Sequence, residues 1–494
     1  MIKFFLLGLL SMQLGIAFAH AGEAEKYRPN IVIIIADDLG WNDVGYNGSE
    51  IATPNLDKLA NEGVILNRFY AQPTCTPTRA ALMTGKSPLR LGVTYAIGHA
   101  NKKGLPLEER TLAQFFQEAG YQTALFGKWH LGHASRDYWP TSRGFDYFYG
   151  NLLGGIGYYT HVHSHRVDWQ RNGETVREEG YTEHLLTDDL TRAIEERDPK
   201  KPMFLIASYN VPHLPNEAPE KSIKRYRKID DPHRRVHAAM THELDIAIGK
   251  VVKTLEKENM LENTLIWFMS DNGGLNPGSF PKPQIGMFLQ LQDWYGAPLP
   301  LDGLEFFRSN ILDGGSDNTP LRSGKGSVYD GGARVPALVY WKGSLEPNES
   351  NQMITAQDVL PTLLAAANIE VSDPAFDGLQ QWSALSENAE TPIADYFMQT
   401  GSGEAAYRYP WKLIAFSDGR RELYNVEDDP SETNDVSGAQ PEMVANLIEA
   451  LSEIPRGESV SILPTDQEFM RSFMQDPDIF GGEETLPSYT EIAH

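Results

Sequence analysis

Cysteine is nearly absent from this chain, which carries one, Cys75, in 494 residues. A single thiol excludes an internal disulfide framework and leaves Cys75 without a cross-link to make. Cations are also scarce. Lys and Arg number 43 against 67 Asp and Glu, a formal net charge of −24. That balance argues against a nucleic-acid partner, because phosphate binding needs clustered Lys and Arg. Salt screens the overall field beyond about 10 Å, so an anionic ligand would answer to local cations in its pocket. Long apolar runs are missing too, and a membrane span needs about 20 such residues. The leading run from Phe4 to Leu10 is interrupted by Ser11 and Gln13. Placed between Lys3 and the small-residue exit Ala17-Phe18-Ala19, it reads as a secretory signal peptide over 1–19 and not as a stable membrane anchor. The expectation is an exported protein, periplasmic or extracellular.

Hydrophobic residues at 41% and aromatics at 10% place the chain among folded globular proteins. Its length exceeds what one core usually fills, which predicts a second, smaller unit. Asn30-Ile31-Val32-Ile33-Ile34-Ile35-Ala36 is an uninterrupted apolar run, the pattern of a strand buried on both faces of a parallel sheet. Similar runs cover Thr123 to Phe126, Phe204 to Tyr209 and Thr264 to Met269. Each stops at polar residues: Asp37-Asp38, Gly127-Lys128-Trp129-His130, Asn210-Val211-Pro212-His213 and Asp271-Asn272-Gly273. Amphipathic helical stretches, Thr111 to Ala119 and Val236 to Leu255, lie between them. The alternation predicts an α/β fold, a large mixed, mostly parallel sheet flanked by helices, with ligands beyond the carboxyl ends of the strands. A catalytic domain over 22–375 would be followed by a C-terminal α+β subdomain over 376–494. The latter would hold strands near Trp411 to Ile414 and Glu422 to Tyr424, a helix from Met443 to Ile454, and a tail after Pro455. The long stretch from Asn276 to Asp317, rich in aromatics, suits an ordered lid, a sugar-stacking wall or a loop with its own small core.

Cys75-Thr76-Pro77-Thr78-Arg79-Ala80-Ala81-Leu82-Met83-Thr84-Gly85 reads as a loop entering a short helix, with Pro77 in the first turn and Gly85 at the end. Cys75 then sits at a helix N-terminus, where the dipole favours an anion, and Arg79 reaches the same spot one turn on. A bare thiolate is one use of that geometry, and an inert buried thiol is the bland alternative. Asp37, Asp38, Asp271 and Asn272 offer hard oxygen ligands, a set that selects Ca²⁺ or Mg²⁺ over zinc.

Cys75-Thr76-Pro77-Thr78-Arg79 resembles the C-x-P-x-R signature of type I sulfatases. Asp37-Asp38, Gly127-Lys128-Trp129-His130-Leu131-Gly132, Asp271-Asn272-Gly273-Gly274 and Gly324-Lys325 stand in that family's order. The resemblance runs from about Pro29 to Trp341, and Glu422-Leu423-Tyr424-Asn425 with Asp429-Pro430 is similar to the family's C-terminal segment. It is nearest to arylsulfatase-B-like and bacterial polysaccharide sulfatases of the alkaline phosphatase superfamily. The resemblance implies an alkaline-phosphatase-like fold and a Cys75 oxidised to formylglycine by a formylglycine-generating enzyme or an anaerobic maturase. It implies Ca²⁺, with Mg²⁺ second, held by Asp37, Asp38, Asp271, Asn272 and the modified Cys75. Arg79 and Lys128 would brace formylglycine and sulfate, and His130 would take a proton so that sulfate leaves. His213 and Lys325 would bind sulfate oxygens, and one of the two would protonate the departing alcohol.

His161, His163, His165, Arg166, Trp169 and Arg171 follow Gly154-Gly155-Ile156-Gly157 closely in sequence. They could grip the sugar that carries the sulfate; a solvated loop or a transition-metal site on the run His161-x-His163-x-His165 are other readings. The function implied is hydrolysis of sulfate esters of a sulfated oligosaccharide or polysaccharide. A phosphodiesterase or phosphonate hydrolase on the same fold, and a non-catalytic secreted carbohydrate binder, are the alternatives.

Overall fold

A computed structural model of the chain describes residues 28–99, 101–163, 166–277, 314–372 and 375–460. The expected signal peptide, His165, most of the aromatic 276–317 stretch and the tail beyond 460 lie outside the described residues. No helix among the described residues is long and apolar enough to cross a membrane.

Four parallel strands form the centre: β1 (Asn30–Ala36), β2 (Gln122–Gly127), β3 (Met203–Ser208) and β4 (Thr264–Ser270). They lie in the order β4-β1-β3-β2. All four coincide with the apolar runs of the sequence to within a residue at each end. β1 explains why its run does not alternate with polar residues. Ile31, Ile33 and Ile35 enter one core layer while Val32, Ile34 and Ala36 enter the other. Both faces are covered by helices, so neither has water to meet.

Around this centre the sheet becomes mixed and reaches ten strands among the described residues. Ala337–Tyr340 runs antiparallel to β4, and Tyr147–Gly150 runs parallel to β2. The short hairpin Gln170–Arg171 and Glu174–Thr175 closes the far edge. The helices that matter for the site are α1 (Cys75–Thr84), α2 (Leu112–Glu118), α3 (Thr182–Glu195) and α4 (Pro232–Lys257). Thr111 caps α2, its hydroxyl accepting from the Gln114 N–H, and Asp231 caps α4 ahead of a Pro at the first helical position.

A second, four-stranded antiparallel meander follows: Tyr396–Thr400, Gly403–Arg408, Trp411–Phe416 and Arg421–Asn425. The helix Pro441–Glu453 covers one face through Leu447 and Leu451. The other face packs on Tyr70, Val328, Ala333 and Met353 of the main body.

Candidate active site

The polar residues that end the four central strands converge at one edge of the sheet, because parallel strands in register finish at the same height. Asp37 and Asp38 follow β1, Lys128 follows β2, His213 lies just past β3, and Asp271 and Asn272 follow β4. Asp38 and His130 both adopt positive φ, 69° and 60°. Non-glycine residues accept that conformation at a cost, and such strain gathers at functional sites.

α1 delivers Cys75 to this edge as its first residue and ends at Gly85, whose φ of 66° a side chain would resist. Two side chains fasten the helix. Thr78 Oγ1 donates to the Asp271 carbonyl at 2.5 Å. Arg79 donates from Nε and Nη2 to Asp271 Oδ2 at 3.0 and 2.8 Å, and from Nη1 to the Lys128 carbonyl and Ser208 Oγ at 2.8 and 2.7 Å. Arg79 therefore ties α1 to the ends of β2, β3 and β4 at once. Ser208 and Thr78 escaped the sequence reading, since a lone hydroxyl residue carries no pattern.

Cations and carboxylates interleave around Cys75. Lys128 Nζ donates to Asp37 Oδ2 at 2.7 Å, with both side chains 0% exposed. Lys325 Nζ lies 2.7 Å from both Asp38 carboxylate oxygens. Asn272 Nδ2 donates to Asp38 Oδ1 at 2.8 Å. Ligand atoms of Asp37, Asp38, Cys75 and His213 all lie within 4.8 Å of one another. The first three belong to the expected metal set. His213, expected at the sulfate, is drawn into the same cluster.

The residues fit a hard divalent cation. Asp37 Oδ1 and Asn272 Oδ1 are buried and have no hydrogen-bond partner among the described residues. Leaving a buried acceptor unsatisfied costs about 1–3 kcal/mol. Both are oxygen donors of the kind that Ca²⁺ and Mg²⁺ take. Burial and the neighbouring Asp271 push Asp37 well above the ordinary carboxylate range, a repulsion that a cation would relieve. Asp38 is held below that range: burial would raise it, and the Lys325 ammonium at contact distance outweighs that burial.

Burial also pushes the Cys75 thiol up to about 11, against the pull of Lys128 and Lys325. Both active-site histidines are kept neutral. His130 is pushed well below its ordinary value by burial, Lys128 and Arg79, and His213 is pushed down to about 3 by burial and Lys325. Their partners define the tautomers. His130 Nε2 lies 3.0 Å from the Ile97 carbonyl, which can only accept, so Nδ1 carries the lone pair; it has no partner among the described residues. His213 Nδ1 donates to the Leu214 carbonyl at 2.7 Å, which leaves the Nε2 lone pair 3.6 Å from Asp38 Oδ2.

The expected sugar-binding cluster separates into two groups. Trp169 is 1% exposed and donates through Nε1 to Glu178 Oε1 at 2.9 Å. His161 stacks on Trp169 at 4.7 Å between ring centroids and faces the Gly180 carbonyl. Arg171 pairs with Asp189 at 2.6 Å and lies over the Tyr149 ring at the sheet edge. Trp169 and His161 are packed into the fold, while Arg171 stays partly exposed at the sheet edge. His163 and Arg166 form a cross-strand pair. His163 donates from Nδ1 to the Gly155 carbonyl at 2.5 Å, and burial, with Lys128 among the contributing charges, pushes it down to about 4.

Comparison with known proteins agrees with this geometry. The sulfatase family model matches residues 29–369. Arylsulfatase J of Mus musculus is 32% identical, over 88% of this chain and 77% of its own. N-acetylgalactosamine-6-sulfatase of Sus scrofa is 30% identical, over 74% of this chain and 68% of its own. The crystal structure of Ps i-CgsB in complex with k-i-k-neocarrahexaose superposes with a TM-score of 0.77 at 28% identity, covering 92% of this chain and all of that one. With its mixed sheet, its strand-end carboxylates and a Cys75 ringed by cations, the chain belongs to the type I sulfatase family and is a sulfuric ester hydrolase.

Proposed function

We propose that the enzyme removes sulfate from a sulfated carbohydrate, using a formylglycine made from Cys75 and a Ca²⁺ held by Asp37, Asp38, Asp271 and Asn272. The observation that carries this reading is the ring of three carboxylates and three cations around Cys75. Asp37, Asp38 and Asp271 balance Arg79, Lys128 and Lys325, so a divalent cation leaves the pocket net positive, as an anionic ester requires. Such a cation would supply charge beside the nucleophile and the sulfate oxygens. As a hydrated aldehyde, formylglycine offers two geminal hydroxyls, one to attack sulfur and one to lose its proton so that sulfate leaves. A thiol near 11 is protonated at neutral pH, which weighs against the bare thiolate as nucleophile. Cys75 is 2% exposed, so the maturing enzyme would have to reach it before α1 packs.

The side chains divide the remaining work. Arg79 and Lys128 orient the modified residue. His130 Nδ1, a free lone pair on a neutral ring, takes the proton of the second hydroxyl. Lys325 and His213, on either side of Asp38, meet the sulfate, and one of them protonates the departing alcohol. N-acetylgalactosamine-6-sulfatase among the relatives, and the neocarrahexaose complex among the structures, support a carbohydrate sulfate as the natural ester. Export fits a polymer that cannot enter the cell.

Purified enzyme should release sulfate from an aryl sulfate and from sulfated oligosaccharides, and peptide mass mapping should find formylglycine at position 75. Cys75→Ala should abolish turnover, and chelation should abolish it until Ca²⁺ is restored. Full turnover by protein with an intact Cys75 thiol would overturn the mechanism, and faster phosphate than sulfate release would favour the phosphodiesterase reading. The proton donor is found with 4-nitrophenyl sulfate, whose leaving group needs no acid. Of His213→Ala and Lys325→Ala, the variant that spares this substrate and loses sugar sulfates has lost the donor.

A further inference from the structure

We propose that Gly154 and Gly155 form a platform seating the rings of His130 and His213, and that Asp168 is the positioning residue that folds it. This inference rests on the reading of the site given above. A Cβ at Gly154 would lie 2.8 Å from His130 Cε1, and one at Gly155 would lie 2.9 Å from His213 Cε1. Neither glycine lies in the left-handed region. Their backbone conformation does not demand glycine; the space does, filled by the His130 ring at Gly154 and by the His213 ring together with the Leu214 carbonyl, 3.1 Å away, at Gly155. Consecutive residues thus set the depth of both histidines.

The platform is folded from beneath by one carboxylate. Asp168 is 1% exposed, and its Oδ1 and Oδ2 accept the Leu152 and Leu153 N–H groups at 2.9 and 2.7 Å. The same loop grips the segment that carries His130. The Asn151 carbonyl accepts from the Trp129 N–H at 2.9 Å and the Leu152 carbonyl from the His130 N–H at 3.0 Å. His163 Nδ1–H also holds the Gly155 carbonyl. His130 keeps its positive φ inside this frame. Proton transfer requires hydrogen-bond reach, and a misplacement of about 1 Å can cost about a hundredfold in rate. Asn at 168 would turn an NH₂ toward one of the two amides and lose that hold.

The test uses the holoenzyme with Gly154→Ala, Gly155→Ala and Asp168→Asn. Asp358→Asn is the control, because Asp358 is also buried and also accepts two backbone N–H groups, from Thr355 and Leu379, but lies in the segment beside the far end of α1. The platform variants should lose kcat on sulfate esters by about tenfold or more, with KM within about twofold of wild type. Asp358→Asn should lose thermal stability comparable to Asp168→Asn and keep wild-type kcat. The proposal is overturned by full kcat in both glycine variants, or by equal kcat loss in Asp168→Asn and Asp358→Asn. Should Asp168→Asn fail to fold, the glycine variants decide alone. Wild-type sulfate release tests the reading of the site, whereas the ratio of variant to wild type tests the platform.

Discussion

A carboxylate buried among backbone donors gains their hydrogen bonds and loses its water, and at Asp358 the loss of water wins. Its oxygens accept from the Thr355 and Leu379 N–H groups, each at 2.7 Å, yet burial pushes the group up to about 6. An ordinary Asp titrates near 3.9. Because the folded value is the higher one, the stability it contributes is fully present below about pH 4 and is lost as pH rises through about 6. Two units correspond to about 3 kcal/mol. Asn at 358 has no proton to lose, so wild type's advantage over Asp358→Asn should shrink by up to that amount between pH 4 and 7. Urea denaturation of both proteins at each pH measures it, and a gap that does not change with pH would contradict the burial argument. His133 and His163, both pushed down to about 4 by burial, act with the opposite sign. They lose stability as pH falls below about 6.5, which is why the prediction compares two proteins that share them. At this scale the sequence was legible where chemistry follows a strand end, as with Asp37, Lys128 and Asp271. It was ambiguous at Trp169 and Arg171, since an aromatic beside a cation looks the same in a binding pocket and along a sheet edge. Pairing of Gln170–Arg171 with the Tyr149–Gly150 strand end places the segment at the sheet edge. Gly154 and Gly155 carry no side chain to signal a role, and nothing local says that two histidines from distant segments will lie against them.

Lys412 shows what one element can demand of another. It sits in the third strand of the antiparallel meander with its ammonium 0% exposed, 2.8 Å from Asp330 Oδ1 and 2.5 Å from Glu432 Oε1. Tyr70 and Tyr407 donate to the same Asp330 carboxylate at 2.7 and 2.9 Å. Asp330 lies in the same segment as Lys325, and that segment also meets the nucleophile and metal segments: Gly326 N–H donates to the Pro73 carbonyl and Gly273 N–H to the Gly332 carbonyl. The meander is therefore latched to the loop that supplies a cation to the site. Removing one partner from a buried ion pair costs about 3–5 kcal/mol, so Lys412→Met should lower stability by that order in equilibrium denaturation. Burial and the neighbouring Asp330 leave Glu432 at about 7, so adding Glu432→Gln to Lys412→Met should recover part of the loss. No recovery would place the cost in packing and not in charge. The meander itself was half legible. Trp411 to Ile414 and Glu422 to Tyr424 carry β-forming residues, whereas Gly403-Glu404-Ala405-Ala406 does not. That strand exists because neighbours pair with it on both edges. The four central strands needed no such help, being buried on both faces.

Over the whole molecule, the negative charge and the anionic substrate oppose each other at long range. The chain carries a net −24, while the cations of the pocket, Arg79, Lys128 and Lys325, are each paired with a carboxylate at contact distance. At long range the net charge would repel a sulfated polymer, and at the site a divalent cation held by the carboxylates would restore attraction. The two ranges respond differently to salt. The Debye length falls from about 30 Å at 0.01 M to about 8 Å at 0.15 M, which removes the long-range repulsion and leaves contacts of about 3 Å largely unscreened. For a polysulfated oligosaccharide, kcat/KM should therefore rise as NaCl increases over that range, through faster encounter and not through kcat. A small aryl sulfate carries one charge and no neighbouring sulfates, so its kcat/KM should rise much less. Initial rates for both esters at fixed Ca²⁺ across the salt series make the comparison. A fall of kcat/KM with salt from the lowest concentration, for both substrates, would show that the local cations already govern the approach and that the protein's net charge has no part in it.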